Sequence, residues 1–480
     1  MKVLCISCPL KLGKHAEITS IHFPVSLGTL LGYLRKNGFE IELLDYNVEG
    51  FTEESFIQRV RNSRPNIIGL SAMSPSIKSA HLLATLVKTH FPDILTVAGG
   101  PHVDVLPVES MKEFSNFDVV AYGEAEDTFL ELCKRLENKE SLDGCLGIAH
   151  RKNGGIILEP PRPLIQNLDK LPYAARDIVN FENYRKAHVE RGISRKFINV
   201  MEFMTSRGCP AKCIFCASGA TKPPTVRWRS LGHVLGEIDE CVEKYDTHYV
   251  NLIDDTFTIN RKFVFDFCEA MKKRGLEWGC YTRVDCVTRE MLQSMVDSGC
   301  LRVTFGVETG SPRIMALNGK GVTIDKVRQA FKWAHDAKLR IIDGTFIIGS
   351  HPDENYEDVE LTIKLISEIK PTFFSVSIIT PIPGTAIYNM MKEEGLIFAD
   401  SWEKYVYIGE TPCWRTRHFS PEELTRLQRY VMKKTYFKLS YLASLMLRIR
   451  SLNEFRYFAD IGLKSFKQVI LNQKVITNYS

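Results

Sequence analysis

Nowhere in the 480 residues do eighteen apolar residues run together, so the chain offers no helix of the length that a bilayer core demands. The opening Met1-Lys-Val-Leu-Cys-Ile-Ser-Cys8 has no apolar signal region with a cleavage site and reads as a first strand, which assigns the chain to a reducing cytosol. Its thirteen cysteines are therefore not read as a disulfide framework. A one-signed charge field is lacking too. The formal net charge is +5, and residues 420–480 alone carry eleven Lys/Arg against four Asp/Glu. The remainder is near neutral, and no global nucleic-acid-binding surface is implied. What is left, 44% hydrophobic and 25% charged residues over a length that suits two or three domains, is the composition of a soluble globular protein with sizeable cores.

Against that background one stretch stands out. Thr205-Ser-Arg-Gly-Cys-Pro-Ala-Lys-Cys-Ile-Phe-Cys-Ala-Ser-Gly219 places Cys209, Cys213 and Cys216 in a C-x3-C-x2-C spacing on one tight loop after an apolar segment, Phe197 to Met204. A zinc site wants four protein ligands in tetrahedral array, and no fourth Cys or His lies in the next fifteen residues. A four-iron cluster held by three cysteines keeps one iron open to an exogenous ligand that can receive an electron. The other readings are an incomplete zinc loop or buried structural thiols. The remaining ten cysteines are scattered, and most suit small buried hydrophobes; Cys280, Cys286 and Cys300 are loosely spaced candidates for a second cluster.

The cysteine spacing on the loop after a first barrel strand resembles the radical S-adenosylmethionine superfamily. The resemblance implies a 4Fe-4S cluster on Cys209, Cys213 and Cys216, whose open iron chelates S-adenosylmethionine and whose electron splits it to a 5'-deoxyadenosyl radical. Gly208 and Pro210 shape the turn, and Phe215 shields the cluster. Strands are expected at 249–253, 277–281, 301–305, 340–347 and 373–379, with helices such as 231–244 and 262–274 between them. With the strand before Cys209 these make six βα units, short of a closed eightfold barrel. Polar groups stand where a barrel puts its chemistry, at the strand ends. By resemblance Asp254, with Asp255, lies where the methionine amino group is met. Arg283 suits the carboxylate, and Glu308 suits ribose hydroxyls or a neighbouring arginine. Each is equally a structural carboxylate or ion pair when taken alone, and Lys320 reads as a solvated lysine, with a position facing the adenosyl group as the alternative.

Ahead of the loop, strands at 2–6, 40–44, 66–70, 94–97 and 118–121 alternate with helical patterns at 27–34, 52–62, 76–90, 105–115 and 126–138. This predicts a parallel sheet covered on both faces. Such sheets bind ligands beyond their carboxyl ends, which here read Ser71-Ala-Met-Ser-Pro75, Gly99-Gly-Pro-His102 and Gly123-Glu-Ala-Glu126. Gly99 and Gly100 either admit a bulky ligand or simply make a sharp turn. These ends, with Phe23 to Leu34 and their place before the cysteine loop, resemble the cobalamin (B12)-binding domain of cobalamin-dependent radical S-adenosylmethionine enzymes, over nearly all of residues 1–410. The resemblance implies that Ser71, Met73, Ser74, Gly99, Gly100, His102, Gly123 and Glu124 face cobalamin. The Asp-x-His-x-x-Gly motif of other cobalamin domains is missing. His102 and His22 are the nearest imidazoles, and neither is assigned to cobalt.

The resulting expectation is an α/β chain: a doubly wound parallel-sheet cobalamin-binding domain (1–140), a linker (141–195) with a strand-turn-strand look around Asn153-Gly-Gly155, a partial (β/α)6 barrel (196–410) and a helical C-terminal extension (411–480). In the extension Leu424, Leu427, Tyr430 and Val431 fall at helical spacing. The basic, aromatic run 436–450 is either a packed helical cap or a surface for anionic lipid. The implied activity is methylation of an unactivated carbon of a small-molecule or lipid-like substrate, with ferredoxin or flavodoxin as electron donor and no nucleic-acid partner. The alternatives are oxidative cyclisation or carbon-carbon bond formation without methyl transfer, a non-catalytic cobalamin sensor, and methylthio transfer to transfer RNA.

Overall fold

The computed structural model describes residues 1–12, 21–187, 199–221, 224–405 and 411–438, together with Tyr441, Met446 and Phe455. They form two compact units, the first holding the described residues of 1–187 with 400–405 and with 220–221, the last two residues of a short helix given below with the second unit, which holds the rest.

In the first unit the order is β1 (Lys2–Ser7), α1 (Val25–Lys36), β2 (Glu40–Asp45), α2 (Glu53–Ser63), β3 (Ile67–Ser71), α3 (Ile77–His90), β4 (Leu95–Gly99), α4 (Pro101–Val105), α5 (Pro107–Glu113), β5 (Val119–Ala121), α6 (Ala125–Glu137), β6 (Ile148–Lys152), β7 (Gly155–Leu158) and α7 (Phe181–Ala187). The sheet runs β2-β1-β3-β4-β5-β6-β7. Its first five strands are parallel, and their near-unbroken apolar runs, such as Ile67-Ile-Gly-Leu70, are what burial on both faces demands. Helix α2 starts where Thr52 and Ser55 close a capping box, with Glu53 and Glu54 in the first turn. The helix expected over 105–115 is α5, and a short helix not expected, α4, precedes it; the two are separate because Pro107 has no N–H to donate and holds Leu106 out of the helical region. A second difference concerns residues 148–158, which fall in the expected linker. They form the hairpin β6–β7 on an Asn153-Gly154 turn with φ of 50° and 77°, and β6 pairs antiparallel with β5, so the hairpin completes the sheet.

The second unit contains β8 (Val200–Phe203), β9 (Ser206–Arg207), α8 (Ala217–Thr221), β10 (Arg227–Trp228), α9 (Leu231–Tyr245), β11 (Tyr249–Leu252), α10 (Arg261–Arg274), β12 (Glu277–Arg283), α11 (Arg289–Asp297), β13 (Cys300–Glu308), α12 (Pro312–Leu317), α13 (Ile324–Asp336), β14 (Ile341–Ile348), α14 (Tyr356–Ile369), β15 (Phe373–Ile378), α15 (Ala386–Glu393) and α16 (Pro421–Tyr436). Six parallel strands in the order β15-β14-β13-β12-β11-β8 make the expected partial barrel. Leu424, Leu427 and Val431 of α16 are buried, while Tyr430 is 37% exposed. This helix covers the edge strand β15. Val376 O accepts from Gln428 Nε2 (2.7 Å), Phe374 O from Tyr436 Oη (2.6 Å) and Thr372 O from Tyr441 Oη (2.8 Å). Most of the basic run 436–450 lies outside the described residues. No helix among the described residues is long and apolar enough to cross a membrane.

Candidate active site

The cysteine loop is an excursion whose two ends are zipped together. Ser206 and Arg207 of β9 pair antiparallel with Trp228 and Arg227 of β10. Gly208 follows with φ +102°, and a side chain there would place its Cβ 2.1 Å from Thr225 O, so only glycine fits. The buried carboxylate of Asp254, just beyond β11, gathers the start of the loop. It accepts from Thr205 N (3.1 Å), Thr205 Oγ1 (2.9 Å) and Ser206 Oγ (2.5 Å), while burial pushes its pKa up. Arg229 fastens the other side, donating to Met204 O (2.9 Å) and Glu237 (2.6 Å). Ile214 N donates to Asn318 O and Ile387 N to Ile214 O, each at 3.1 Å, which moors the middle of the loop.

Cys209, Cys213 and Cys216 are free and half-buried, and Phe215 beside them is half-buried as well. Arg283 Nη1 approaches Cys213 Sγ at 3.7 Å, and Thr256 Oγ1 lies 3.8 Å from Cys209 Sγ. Burial pushes the Cys213 thiol up in pKa, while the Lys320 ammonium and the Arg283 guanidinium pull it back. The donor set itself tests which metal group fits. Three half-buried thiolates on one loop, with no fourth Cys or His beside them in the sequence, fit a cube on which each cysteine binds a different iron and the fourth iron stays open.

The charged strand ends beside the loop are each tied to a partner. Arg283 forks onto Asp285 with two bonds of 3.0 Å and donates to Lys320 O at 2.6 Å. Burial opposes its charge, but Asp285 more than offsets this and raises its pKa. Glu308 sits at a register shift between β13 and β14 with φ +75°, a strained value for a residue with a side chain. Its Oε1 accepts from Lys320 Nζ (3.0 Å) and its Oε2 from Thr345 Oγ1 (3.4 Å). Lys320 is 6% exposed, which corrects the expectation of a solvated lysine. A Cβ on Gly306 would lie 2.6 Å from Glu308 Oε1, so that glycine makes room for the pair. Asp255 accepts from Ser218 Oγ at 2.9 Å. Glu354 was missed by the sequence reading. Fully buried beyond β14, it accepts from Gly349 N, its other oxygen has no hydrogen-bond partner, and burial pushes its pKa up to about 8. A carboxylate five residues past a strand-end glycine was the available signal. Cys280 and Cys300 are buried strand residues, whereas Cys286 lies outside the strands beside Asp285, so the three do not stand on one loop.

In the first unit the strand ends are nearly free of charge. Ser71, Gly99 and Gly100 are half-exposed, and Met73 and Gly123 are open to solvent. The two central glycines differ. At Gly100 (φ +100°) a Cβ would meet Ala72 O at 2.7 Å, so the turn requires glycine; at Gly99 the nearest atom would be 3.8 Å away, so the space above it is free. Ser74 and His102 turn inward instead of facing the open end. His102 Nδ1 pairs with Ser74 Oγ at 3.0 Å, and the ring packs edge-on against Trp402 at 4.8 Å. Burial lowers the His102 pKa to about 4. Glu124 Oε2 accepts from Ile165 N (3.1 Å), so that carboxylate holds the following segment.

Comparison with known proteins joins the two units. Residues 203–366 match the Radical SAM superfamily model, and residues 15–133 match the B12 binding domain. An uncharacterized methyltransferase of Pyrococcus horikoshii is 32% identical over 440 residues, covering 91% of this chain and 93% of its own. The anaerobic magnesium-protoporphyrin IX monomethyl ester cyclase of Rubrivivax gelatinosus is 26% identical over 437 residues, covering 88% of this chain and 76% of its own. The fold is shared with the radical S-adenosylmethionine methyltransferase TsrM from Kitasatospora setae, at a TM-score of 0.70 and 16% identity over 89% of this chain and 88% of that one. A radical S-adenosylmethionine domain preceded by a B12-binding domain defines the class. The chain belongs to the cobalamin-binding radical S-adenosylmethionine enzyme family, whose cofactors are a 4Fe-4S cluster, S-adenosylmethionine and cobalamin.

Proposed function

We propose that this enzyme transfers a methyl group to an unactivated carbon of a small-molecule or lipid-like substrate. The observation that carries the reading is the moored three-cysteine loop in a chain 32% identical, over 91% of its length, to a methyltransferase. When bound, the cluster supplies the electron that cleaves S-adenosylmethionine, and cobalamin supplies a carrier for the methyl group. Cys209, Cys213 and Cys216 hold the cluster. Arg283 and the Glu308–Lys320 pair present fixed charges for the methionine carboxylate and the ribose hydroxyls. Asp254 acts through the loop that it gathers, and Asp255, held by Ser218 Oγ, is the group proposed for the methionine amino group. In the other unit Ser71, Met73, Gly99, Gly100 and Gly123 face the corrin, with Ser74, His102 and Glu124 shaping the loops behind them. A reductant is required; ferredoxin or flavodoxin is the proposed donor, the cytoplasm the proposed compartment, and the basic C-terminal run the proposed point of any contact with a membrane surface.

The test uses the full chain, reconstituted anaerobically with iron, sulfide and cobalamin, then reduced and given S-adenosylmethionine with a deuterated methyl group. Label on the extracted cobalamin, together with S-adenosylhomocysteine, is the expected result. 5'-Deoxyadenosine formation should be lost in Cys213→Ala. Unlabelled cobalamin alongside 5'-deoxyadenosine would overturn methyl transfer and favour cyclisation or carbon-carbon bond formation, the reading that the likeness to the Rubrivivax cyclase supports.

A further inference from the structure

Away from both sets of strand ends, the hairpin at the edge of the first sheet gathers three side chains whose chemistry no part of the proposed reaction uses. His150 lies on β6 and Glu159 just past β7. The ladder sets Ala149 opposite Leu158 and His150 opposite Ile157, so Glu159 falls opposite Ile148, diagonal to His150 and on the same face. Asp143 arrives from the turn that precedes β6. His150 Nε2 is 3.3 Å from Glu159 Oε1 and 3.8 Å from Asp143 Oδ1, and among the described residues this is the set of three metal-ligating side chains whose donor atoms all close to within 4.8 Å.

His150 Nε2 and Glu159 Oε1 are within hydrogen-bonding distance at 3.3 Å, but one Nε2–H serves one carboxylate and leaves Asp143 Oδ1, at 3.8 Å, without it. The edge of a tetrahedron around Zn2+, by contrast, is about 3.3 Å for bonds of about 2.0–2.1 Å. Two carboxylates converging on a buried imidazole also repel each other unless a cation, the imidazolium itself or a metal ion in its place, stands between them. Lys152 pairs only with the outer oxygen of Asp143, leaving Oδ1 turned toward His150.

The backbones that carry the three ligands are pinned. Glu159 N donates to Ile148 O at 2.9 Å, and Glu159 O accepts from Tyr122 Oη. Arg135 Nη1 grips the turn through Ser141 O (2.7 Å) and Asp143 O (3.0 Å). His150 is held between Val119 and Ile157 in the sheet. His150 is 3% and Glu159 9% exposed, while Asp143 is open to solvent. The site is therefore walled on the protein side and reachable from outside.

We propose that Asp143, His150 and Glu159 bind one divalent cation of the zinc type, which suits a mixed imidazole and carboxylate set. Unlike a closed four-ligand zinc site, this one keeps a position for water, and the ion ties the 141–147 turn to the hairpin. Lys152 competes with it for Asp143.

Equilibrium dialysis of the full-length protein, with its cluster already loaded so that the three loop cysteines are occupied, against micromolar Zn2+ tests this, with metal analysis as the readout. The expected result is one zinc per chain, bound at least about tenfold more weakly in Glu159→Gln and in Asp143→Asn and more tightly in Lys152→Ala, with iron content the same in all four proteins. Absence of zinc from the wild-type protein would overturn the proposal. So would zinc uptake unaltered in both carboxamide variants, since the ion would then be held elsewhere. Asp143 is exposed, so Asp143→Asn decides the matter if Glu159→Gln does not fold.

Discussion

Both units end their parallel strands in polar residues, yet they do so in opposite ways. At the ends of β3, β4 and β5 the carboxylates present are tied to backbone, Asp104 to Gly123 N and Glu124 to Ile165 N; Gly99 and Gly123 leave open space, and the imidazole of His102 is folded away under Trp402. The ends of β11 to β14 are crowded with charge, and the charges are already paired: Asp254 with the loop backbone, Arg283 with Asp285, Glu308 with Lys320. The first arrangement lets a broad, mostly apolar ring system approach the backbone closely. The second spends its charges on holding a loop and one another, so that few groups have to reorient when a zwitterion arrives.

The comparison breaks most severely at the buried pair. Replacing Lys320 by Met leaves the Glu308 carboxylate without its cation at the bottom of the site, which should cost about 3–5 kcal/mol. The double variant Lys320→Met/Glu308→Gln should recover most of that loss in a denaturant titration. An unchanged midpoint for the single variant would show the pair to be solvated.

The contrast is sharpened in the first unit. Gly100→Ala forces a side chain into a left-handed turn against Ala72 O and should cost about 1–3 kcal/mol, whereas Gly99→Ala should leave the apo protein's stability intact and weaken cobalamin binding, read by the corrin absorbance retained after gel filtration. Equal destabilisation by the two alanines would remove the distinction between them.

The smallest effects are in pH, and the two units set opposite limbs. His102 is neutral in the fold, with its pKa lowered to about 4 from 6.5 by burial. The unfolded chain therefore binds more protons below pH 6.5, and stability falls as pH drops from there. Glu354 is raised from 4.5 to about 8; its contribution is complete below pH 4.5 and is lost as pH rises through 8. Within one unit of neutrality each should change stability by about 1 kcal/mol. His102→Gln should flatten the acid limb and Glu354→Gln the alkaline one, as followed by thermal melts across pH 5.5–8.5. A variant that leaves its limb unaltered would show that its parent side chain is not the one titrating.

The strands, their order of alternation with helices and the cysteine loop were legible because each is a local signal. Buried parallel strands read as apolar runs, and three cysteines within eight residues read as one ligand set. Lys320 was not legible, since a lysine after Asn318-Gly319 looks solvated; its burial depends on Glu308, whose positive φ arises from a register shift against β14. The inward turn of His102 depends on Trp402, three hundred positions along the chain. The strand-turn-strand pattern around Asn153 was visible, but its place in the sheet rests on pairing His150 with Val119, and no short window contains both residues.

The carbonyls of Thr372, just ahead of β15, and of Phe374 and Val376 within it each receive a hydrogen bond, from Tyr441, Tyr436 and Gln428 in turn. An uncovered row of this kind is an invitation for a foreign strand to join the sheet. The C-terminal segment thus does for the open barrel what a further strand does for a closed one. To trim it away would be to manufacture an adhesive surface on a protein that otherwise has none at that edge.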